Sequence, residues 1–269
     1  MSWQFSMASD IGGRSEQQDS IDLVSSETGD SHLIIVADGM GGHEGGALAS
    51  KLVVETARHH FNNGRDPEPE TFLKDLCIDS HNAISALGSE GKRSPGSTCV
   101  LLYLNGTEAS WAHVGDSRLY HFSNNRLEQQ TCDHSLVQLM VERGDMSEDE
   151  AASSSLQNQL YMCLGGSNTP EPDIDAYTAA HNDLFILCSD GFWSCVEPEE
   201  VLACLKQQPF EEDCAARLVE LARERGGDEG DNISLALIRY KSDRKHTPGS
   251  LFTRLVDYIS SRKFRLLPG

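Results

Sequence analysis

Residues 33–43 read Leu33-Ile-Ile-Val-Ala-Asp38-Gly-Met-Gly-Gly-His43, and this stretch does most to indicate the fold. The apolar run Leu33–Ala37 is typical of a buried strand, because it is short and a glycine-rich turn follows it. The strand delivers Asp38 to a turn that three glycines keep open. The stretch therefore predicts a buried strand that ends on a carboxylate.

The same arrangement recurs twice further along the chain. Asp190 follows the apolar run Leu184–Cys188, and Asp231 precedes the apolar stretch Ile233–Ile238. Three aspartates at strand ends can converge on one point, and carboxylate oxygens suit hard cations such as Mg²⁺ or Mn²⁺. Two such ions can turn a water into a nucleophile for phosphoester hydrolysis. We therefore interpret the chain first as a metal-dependent hydrolase.

The charge of the chain argues against a nucleic-acid partner. The net charge is −20, and the phosphate backbone repels such a surface. The charge is uneven: from residue 241 onward there are seven basic and two acidic side chains, so this tail carries +5 and residues 1–240 carry −25. Apolar residues make up 38% of the chain, which is enough to form a sizeable core.

The eight cysteines are scattered singly, without a Cys-x-x-Cys pair. This spacing argues against a structural zinc site and favours a reducing compartment over a disulfide framework. The start of the chain has no signal-peptide pattern, and no apolar run is long enough to span a bilayer. We therefore expect a cytoplasmic protein.

Short apolar or alternating runs predict six strands. Three of them follow one another closely, with the turn Asn105-Gly106 between two, so we expect them to pair antiparallel. The predicted strands are Leu33–Ala37, Thr98–Leu104, Ala109–Val114, Arg118–Phe122, Leu184–Cys188 and Ile233–Arg239.

Helical spacing of apolar residues predicts two pairs of helices between these strand groups. They cover Gly45–Phe61, Glu70–Leu87, 197–207 and 211–225. Strand clusters with paired helices between them predict an α+β fold, an antiparallel β-sandwich flanked by helices on both sides in four layers, α-β-β-α.

We expect one domain over residues 1–240 and an appendage over 241–269. Residues 133–172 have little strand character, so we interpret them as a mobile flap beside the site. Residues 241–249 resemble a linker, and Ser250–Leu266 has the spacing of a basic amphipathic helix. Such a tail is compatible with a packed or frayed extension, and also with docking on a partner or on an anionic membrane surface.

Other phosphatase and nucleotide chemistries fit the chain less well. No cysteine is followed six residues later by arginine, so the Cys-x₅-Arg phosphatase loop is absent. The chain also lacks the G-x₄-G-K-[ST] nucleotide loop and the H-E-x-x-H zinc helix.

An ordered series of eight motifs resembles the metal-dependent serine/threonine protein phosphatases of the type 2C family, in their compact bacterial branch. The resemblance covers about residues 5–240. The motifs are Arg14-Ser-Glu-Gln-Gln-Asp19, Val36-Ala-Asp-Gly-Met-Gly-Gly-His43, Gly96-Ser-Thr98, Val114-Gly-Asp-Ser-Arg118, Asp133-His-Ser135, Leu164-Gly165, Cys188-Ser-Asp-Gly-Phe-Trp193 and Gly230-Asp-Asn-Ile-Ser234.

The resemblance implies a set of metal ligands. Asp38 would bridge two ions of Mn²⁺ or Mg²⁺, with the Gly39 carbonyl as a further ligand. Asp190 and Asp231 would bind the second ion. Asp116 and Asp190 match the family positions that hold a third, weaker ion.

The resemblance also implies roles next to the metals. Arg14 would hold the substrate phosphate, because a guanidinium can bind two phosphate oxygens at once. Asn232 would orient its neighbour Asp231, and Asp19 would be a group behind the ligands or a turn residue. Asp38 and Arg14 are therefore the candidate catalytic residues.

The function that follows is hydrolysis of phosphoserine and phosphothreonine in proteins by a metal-activated water, without a covalent enzyme intermediate. The partners would be phosphoproteins, as substrates of a serine/threonine kinase. Two alternatives stay open at this point. Gln18, where some relatives have glutamate, and Met162, where arginine is usual, are compatible with a catalytically weak phosphoprotein-binding module. A small-molecule phosphohydrolase is the other.

The general acid is left unassigned by the sequence. Eukaryotic members of the family carry a histidine immediately after Asp-Gly, and here that position is Met40. The nearest histidine, His43, lies three residues later and is interpreted as a helix-start residue.

Overall fold

The structure, a computed structural model, describes residues 2–41, 44–63, 68–88, 95–207 and 210–242. The strands are β1 Ser2–Asp10, β2 Asp19–Ser25, β3 Ser31–Met40, β4 Gly96–Ser97, β5 Cys99–Asn105, β6 Glu108–Val114, β7 Arg118–Ser123, β8 Arg126–Gln130, β9 Asp173–Thr178, β10 Leu184–Cys188 and β11 Ile233–Lys241. The helices are α1 Glu44–Asn63, α2 Pro69–Ser85, α3 Leu136–Glu142, α4 Glu148–Ala152, α5 Asp190–Trp193, α6 Pro198–Gln207 and α7 Cys214–Gly226, with a 3₁₀ turn at Gly227–Glu229.

Ten of the strands form two antiparallel sheets. One sheet has the order β1-β11-β10-β7-β8, and the other has the order β2-β3-β5-β6-β9, with the short β4 paired to the end of β3. The central strands of each sheet are those that the sequence predicted. The outer strands β1, β2, β8 and β9 were not predicted.

Three apolar layers hold the elements together, and β3 shows why. Ile34 and Val36 face the other sheet, whereas Leu33 and Ile35 face α1 and α2. Because both faces of the strand are buried, its sequence is continuously apolar instead of alternating. β10 is built in the same way, with Phe185 and Leu187 between the sheets and the alternate residues under α6 and α7. The predicted four-layer α-β-β-α sandwich is confirmed.

The segment 133–172 carries the short helices α3 and α4, folds back on itself through a bridge of Leu160 to Ser135, and returns to the sandwich through a bridge of Leu164 to Ser97. Its mobility stays a prediction. The predicted tail helix and His43 lie outside the described residues. None of the helices in the described ranges is both long and apolar enough to cross a membrane.

Candidate metal centre

One end of the sandwich gathers five aspartates from both sheets. Asp19 begins β2, Asp38 lies near the end of β3, Asp116 connects β6 to β7, Asp190 begins α5, and Asp231 precedes β11. Asp38 is central, because its carboxyl group experiences the charges of the other four. The structure therefore brings together the three strand-end aspartates and the two that the family resemblance supplied.

Strand pairing explains why residues so distant in sequence meet here. Asp19 stands directly opposite Asp38 in the β2–β3 ladder. β10 and β11 are antiparallel neighbours, so Asp190, just after β10, emerges beside Asp231, just before β11. The Ser189 N–H donates to the Ser234 carbonyl at 3.1 Å and extends this ladder up to Asp190.

The backbone of Asp38 is fixed by the neighbouring β4–β5 segment. Its N–H donates to Thr98 Oγ1 at 3.0 Å, and its carbonyl accepts from the Thr98 N–H at 2.8 Å and from Ser97 Oγ at 3.0 Å. Thr98 Oγ1 also lies 2.7 Å from Ser117 Oγ, next to Asp116. Thr98 therefore connects the backbone of Asp38 to the side chain of Ser117, a role that the Gly96-Ser97-Thr98 motif did not reveal by sequence alone.

Gly39 must lack a side chain because α1 begins against it. A Cβ atom at Gly39 would lie 2.0 Å from the Gly46 carbonyl oxygen and 2.8 Å from that of Gln18. The Gly39 N–H donates to the same Gln18 oxygen at 3.1 Å. The glycine thus lets β3, α1 and the end of the 11–18 loop meet at the carboxylate cluster.

Asp19 is buried inside the cluster and held by hydroxyl groups. Its Oδ2 accepts from Ser189 Oγ at 2.7 Å, and Ser189 Oγ in turn accepts from the Ser234 N–H at 2.9 Å. Asp19 therefore lies at the start of a strand with its side chain in the cluster, and it is not a turn residue. Sequence reasoning missed Ser189, because nothing in the sequence shows that β2 and β10 approach each other.

Burial and mutual repulsion raise the pKa values of four carboxyl groups, those of Asp19, Asp38, Asp116 and Asp190. Desolvation, and then the charge of Asp190, raise the pKa of Asp38 well above its usual range. Burial likewise raises the pKa of Asp19 and of Asp116 to about 7, and that of Asp190 to about 6. Without a cation, the cluster would therefore hold protons that isolated aspartates release near pH 4.

The cluster fits divalent cations. Among the described residues, Oδ1 of Asp19 and Oδ1 of Asp190 are buried and have no hydrogen-bond partner. Buried polar atoms in proteins are nearly always paired, so these two oxygens indicate an absent partner. An all-oxygen set of carboxylates suits Mg²⁺ or Mn²⁺.

Arg14 reaches the cluster from the loop between β1 and β2. Its Nη2 lies 2.7 Å from Asp231 Oδ2, and more than half of its side chain is exposed to solvent. The other Asp231 oxygen, Oδ1, accepts from the Asn232 N–H at 2.8 Å. Arg14 thus places a cation at the mouth of the acidic cluster.

The backbone of Asp116 is held by Trp193, which packs on the partly buried Arg118. Arg118 donates to both carboxylate oxygens of Asp133 at 2.8 Å, and its guanidinium lies 3.6 Å from the centre of the Trp193 ring. Trp193 Nε1 donates to the Asp116 carbonyl at 2.9 Å. These contacts fix the loop backbone on which Asp116 sits.

The returning end of the 133–172 segment lies beside this centre. Leu164 and Ser97 exchange backbone hydrogen bonds at 2.8 and 3.0 Å. Met40 and Cys163 both lie against Gly96, on the same side of the site. Burial and the charge of Asp116 raise the pKa of the Cys163 thiol, which makes it a poor nucleophile.

A second cluster of metal-ligand residue types, His113, His134 and Asp173, lies nearby, with candidate ligand atoms within 4.8 Å of one another. The Gly115 N–H donates to His134 Nδ1 at 3.1 Å, so the proton of the neutral ring is on Nε2. The rings of His113 and His134 are stacked at 4.5 Å and 20°, so their in-plane lone pairs do not converge. The geometry therefore argues against a metal at this cluster.

Comparisons with known proteins agree with this geometry. The family model for protein phosphatase 2C matches residues 8–229. A putative protein phosphatase 2C-type from Streptococcus pyogenes is 32% identical over 250 residues, which cover 89% of this chain and 98% of that protein.

Two solved structures are similar over nearly the whole fold. The S. agalactiae serine/threonine phosphatase is 31% identical with a TM-score of 0.81, over 89% of this chain and 100% of that one. The catalytic domain of the serine/threonine protein phosphatase PstP, in complex with two manganese ions, is 29% identical with a TM-score of 0.76, over 89% of this chain and 99% of that one.

Proposed function

The chain belongs to the protein phosphatase 2C family, and we propose that its activity depends on divalent ions bound by Asp38, Asp190 and Asp231. The activity itself is the metal-dependent removal of phosphate from serine and threonine side chains of proteins. The observation that carries the proposal is the pair of buried, unpartnered carboxylate oxygens on Asp19 and Asp190 among the described residues.

The proposed ligand set would hold two ions of Mn²⁺ or Mg²⁺. Asp38 and the Gly39 carbonyl would be ligands, and Asp190 and Asp231 would complete the site of the second ion. Asp116 and Asp190 would hold a third, weaker ion. The two manganese ions in the related PstP structure support the number two. Bound ions would supply positive charge for the phosphate and a water activated as nucleophile.

The chain's own residues prepare the centre in three ways. Thr98 and Ser189 fix the direction of Asp38 and Asp19 through the hydrogen bonds described above. The raised pKa values mean that the carboxyl groups release protons when cations bind, so metal affinity rises with pH. Arg14 binds the substrate phosphate at the exposed mouth of the acidic cluster. Two parallel hydrogen bonds from its guanidinium fix the orientation of the phosphate.

We propose further that the substrates are proteins phosphorylated by a serine/threonine kinase in the cytoplasm. The eight free cysteines, including the buried pair Cys77 and Cys99, support a reducing compartment.

We also propose that residues 1–240 form the catalytic domain, with a mobile flap at 133–172 and a separate basic tail at 241–269. The end of β11 at Lys241, paired with the first strand, supports that boundary. A chain that ends at residue 242 should retain full turnover of a phosphopeptide.

Phosphate release from a phosphothreonine peptide by metal-stripped protein tests the proposed ligand set. We expect release only after Mn²⁺ or Mg²⁺ is added. Asp231→Asn should lower the activity about a hundredfold or more at fixed metal, because one ligand charge is lost. Arg225→Ala, which removes an exposed arginine paired with Glu200 on α6, is the matched control and should be fully active. Equal turnover of the Asp231 variant and of this control would contradict the ligand assignment.

A further inference from the structure

The side chain of Asn232 bonds to the loop that carries Arg14. Its Nδ2 donates to the carbonyl of Ile11 at 2.9 Å and to that of Glu16 at 3.0 Å. Its Oδ1 accepts from the Gln18 N–H at 2.8 Å. One buried amide, 4% exposed, therefore satisfies three backbone groups that flank Arg14 on both sides.

The loop lacks regular structure between β1 and β2, so its shape depends on such bonds. Gly12, at φ +64°, packs so closely that a Cβ atom would lie 2.0 Å from the Asp231 carbonyl oxygen. The Gly13 N–H donates to the Gly230 carbonyl at 3.0 Å. The two loops are therefore in backbone contact, and Asn232 joins them at the centre.

Asn232 does not need its side chain to hold Asp231. The contact to the Asp231 carboxylate comes from the Asn232 backbone N–H, which nearly any residue at this position would offer. If Asn232 orients Asp231, as the family resemblance implies, it does so through its backbone N–H and not through its side chain. The amide instead acts on the 11–18 loop.

We propose that Asn232 is a positioning residue for Arg14, holding the backbone of the arginine loop so that the guanidinium stays at the mouth of the metal centre. The proposal rests on the proposed role of Arg14 as the ligand of the substrate phosphate. A displacement of about 1 Å in such a group can cost up to a hundredfold in rate. Asn232 thereby links the loop before β11 to substrate binding.

A double-mutant cycle tests the proposal in the full chain with saturating Mn²⁺ and a phosphothreonine peptide. We expect Asn232→Ala to raise KM about tenfold, because the arginine loop loses three hydrogen bonds. In the Arg14→Ala background the same change should alter KM by less than about twofold, because the group it positions is gone. Mn²⁺ affinity, measured by calorimetric titration, should stay within about twofold of wild type.

Each outcome of the cycle has a separate meaning. An equal rise of KM in both backgrounds, or a tenfold loss of Mn²⁺ affinity in Asn232→Ala, would overturn the positioning role. If Arg14→Ala alone left KM and kcat unchanged, the proposed phosphate role of Arg14 would be wrong instead. Ile186→Val, a buried change away from the loop, controls for lost stability and should leave KM unchanged. If Asn232→Ala does not fold, Asn232→Ser, which keeps a hydroxyl for one of the bonds, gives the same test.

Discussion

Two clusters of metal-ligand residue types lie close together in this protein, and they differ in how their lone pairs are arranged. The acidic cluster around Asp38 contains buried carboxylate oxygens that have no partner among the described residues. In the histidine cluster, His134 Nδ1 accepts from a backbone N–H and His113 Nε2 lies 2.8 Å from the Cys132 carbonyl, but His113 Nδ1 is buried and has no partner among the described residues. Unused lone pairs therefore occur in both clusters, and the stacked rings of the histidine cluster keep its lone pairs from converging on one point.

The difference also appears in the energetics of the two clusters. Burial and repulsion raise the pKa values of Asp38 and Asp116 in the acidic cluster. Ionised carboxyl groups therefore destabilise the folded protein until a cation neutralises their charge. In the histidine cluster, burial, and then the charge of His134, lower the pKa of His113, which keeps the ring neutral and stacked. The carboxyl groups of the acidic cluster therefore repel one another without a cation, whereas the histidine cluster is a stacked pair of buried rings beside the exposed Asp173.

The largest effect should come from Asp38→Asn. We expect kcat/KM for a phosphopeptide to fall at least about a thousandfold, because the proposed bridging charge is lost. The same variant should melt at a higher temperature than wild type in EDTA, because one of five mutually repelling carboxyl groups is neutral. Scanning calorimetry measures the melting temperature. A value in EDTA below that of wild type would show that repulsion among the carboxyl groups does not destabilise the metal-free protein.

The next effect is a pH dependence of stability in metal-free protein. Folded-state pKa values of about 7 for Asp19 and Asp116 exceed the ordinary value of 3.8, so the folded state binds more protons between these limits. This contribution to the free energy of unfolding is therefore present below about pH 4 and is lost as pH rises to about 7. Urea unfolding in EDTA at pH 5, 6, 7 and 8 measures it. Saturating Mn²⁺ should remove this fall of the free energy of unfolding with pH. If the free energy of unfolding instead rose with pH in EDTA, and rose more steeply than in Mn²⁺, the raised pKa values would be contradicted.

A smaller effect is expected for Thr98→Val, which keeps the side-chain shape but removes the hydroxyl between Asp38 and Ser117. Mn²⁺ affinity should weaken about tenfold, since groups that hold metal ligands in place typically contribute that much. Calorimetric titration measures the affinity. Thr107→Val, at an exposed turn whose hydroxyl bonds to Glu108, is the matched control and should bind Mn²⁺ normally.

The smallest effect should come from the histidine cluster. His134→Asn can keep an acceptor near Nδ1 for the Gly115 N–H, and His113→Gln can keep a donor near Nε2 for the Cys132 carbonyl. Both variants remove the imidazole ligands, yet Mn²⁺ affinity should change by less than about twofold. A tenfold loss in either would mean that the histidines contribute to metal binding after all.

The sequence predicted the centre of the fold better than its edges, for a physical reason. Leu33–Ala37 and Leu184–Cys188 are buried on both faces, so they read as apolar runs that end on aspartates. β9, Asp173–Thr178, is an edge strand with mostly exposed side chains, and β8 is exposed throughout, so neither has an apolar signature. The metal-ligand candidates at strand ends were therefore accessible to sequence reasoning.

The groups around those candidates were not accessible, because they depend on long-range pairing. Ser189 meets Asp19 from 170 residues away, and Asn232 meets Ile11 from 221 residues away. Local pattern has no information on such contacts. The family resemblance supplied Asp116, Asp19 and Arg14, but not the bonds that hold them.

An anomalous difference map from crystals of the wild-type protein soaked in Mn²⁺ tests most directly whether the acidic cluster binds the ions. We expect strong peaks among Asp38, Asp190 and Asp231, and none at His113 and His134. A peak between the two histidines, or no peak beside Asp38 in crystals that turn over substrate when redissolved, would contradict this expectation.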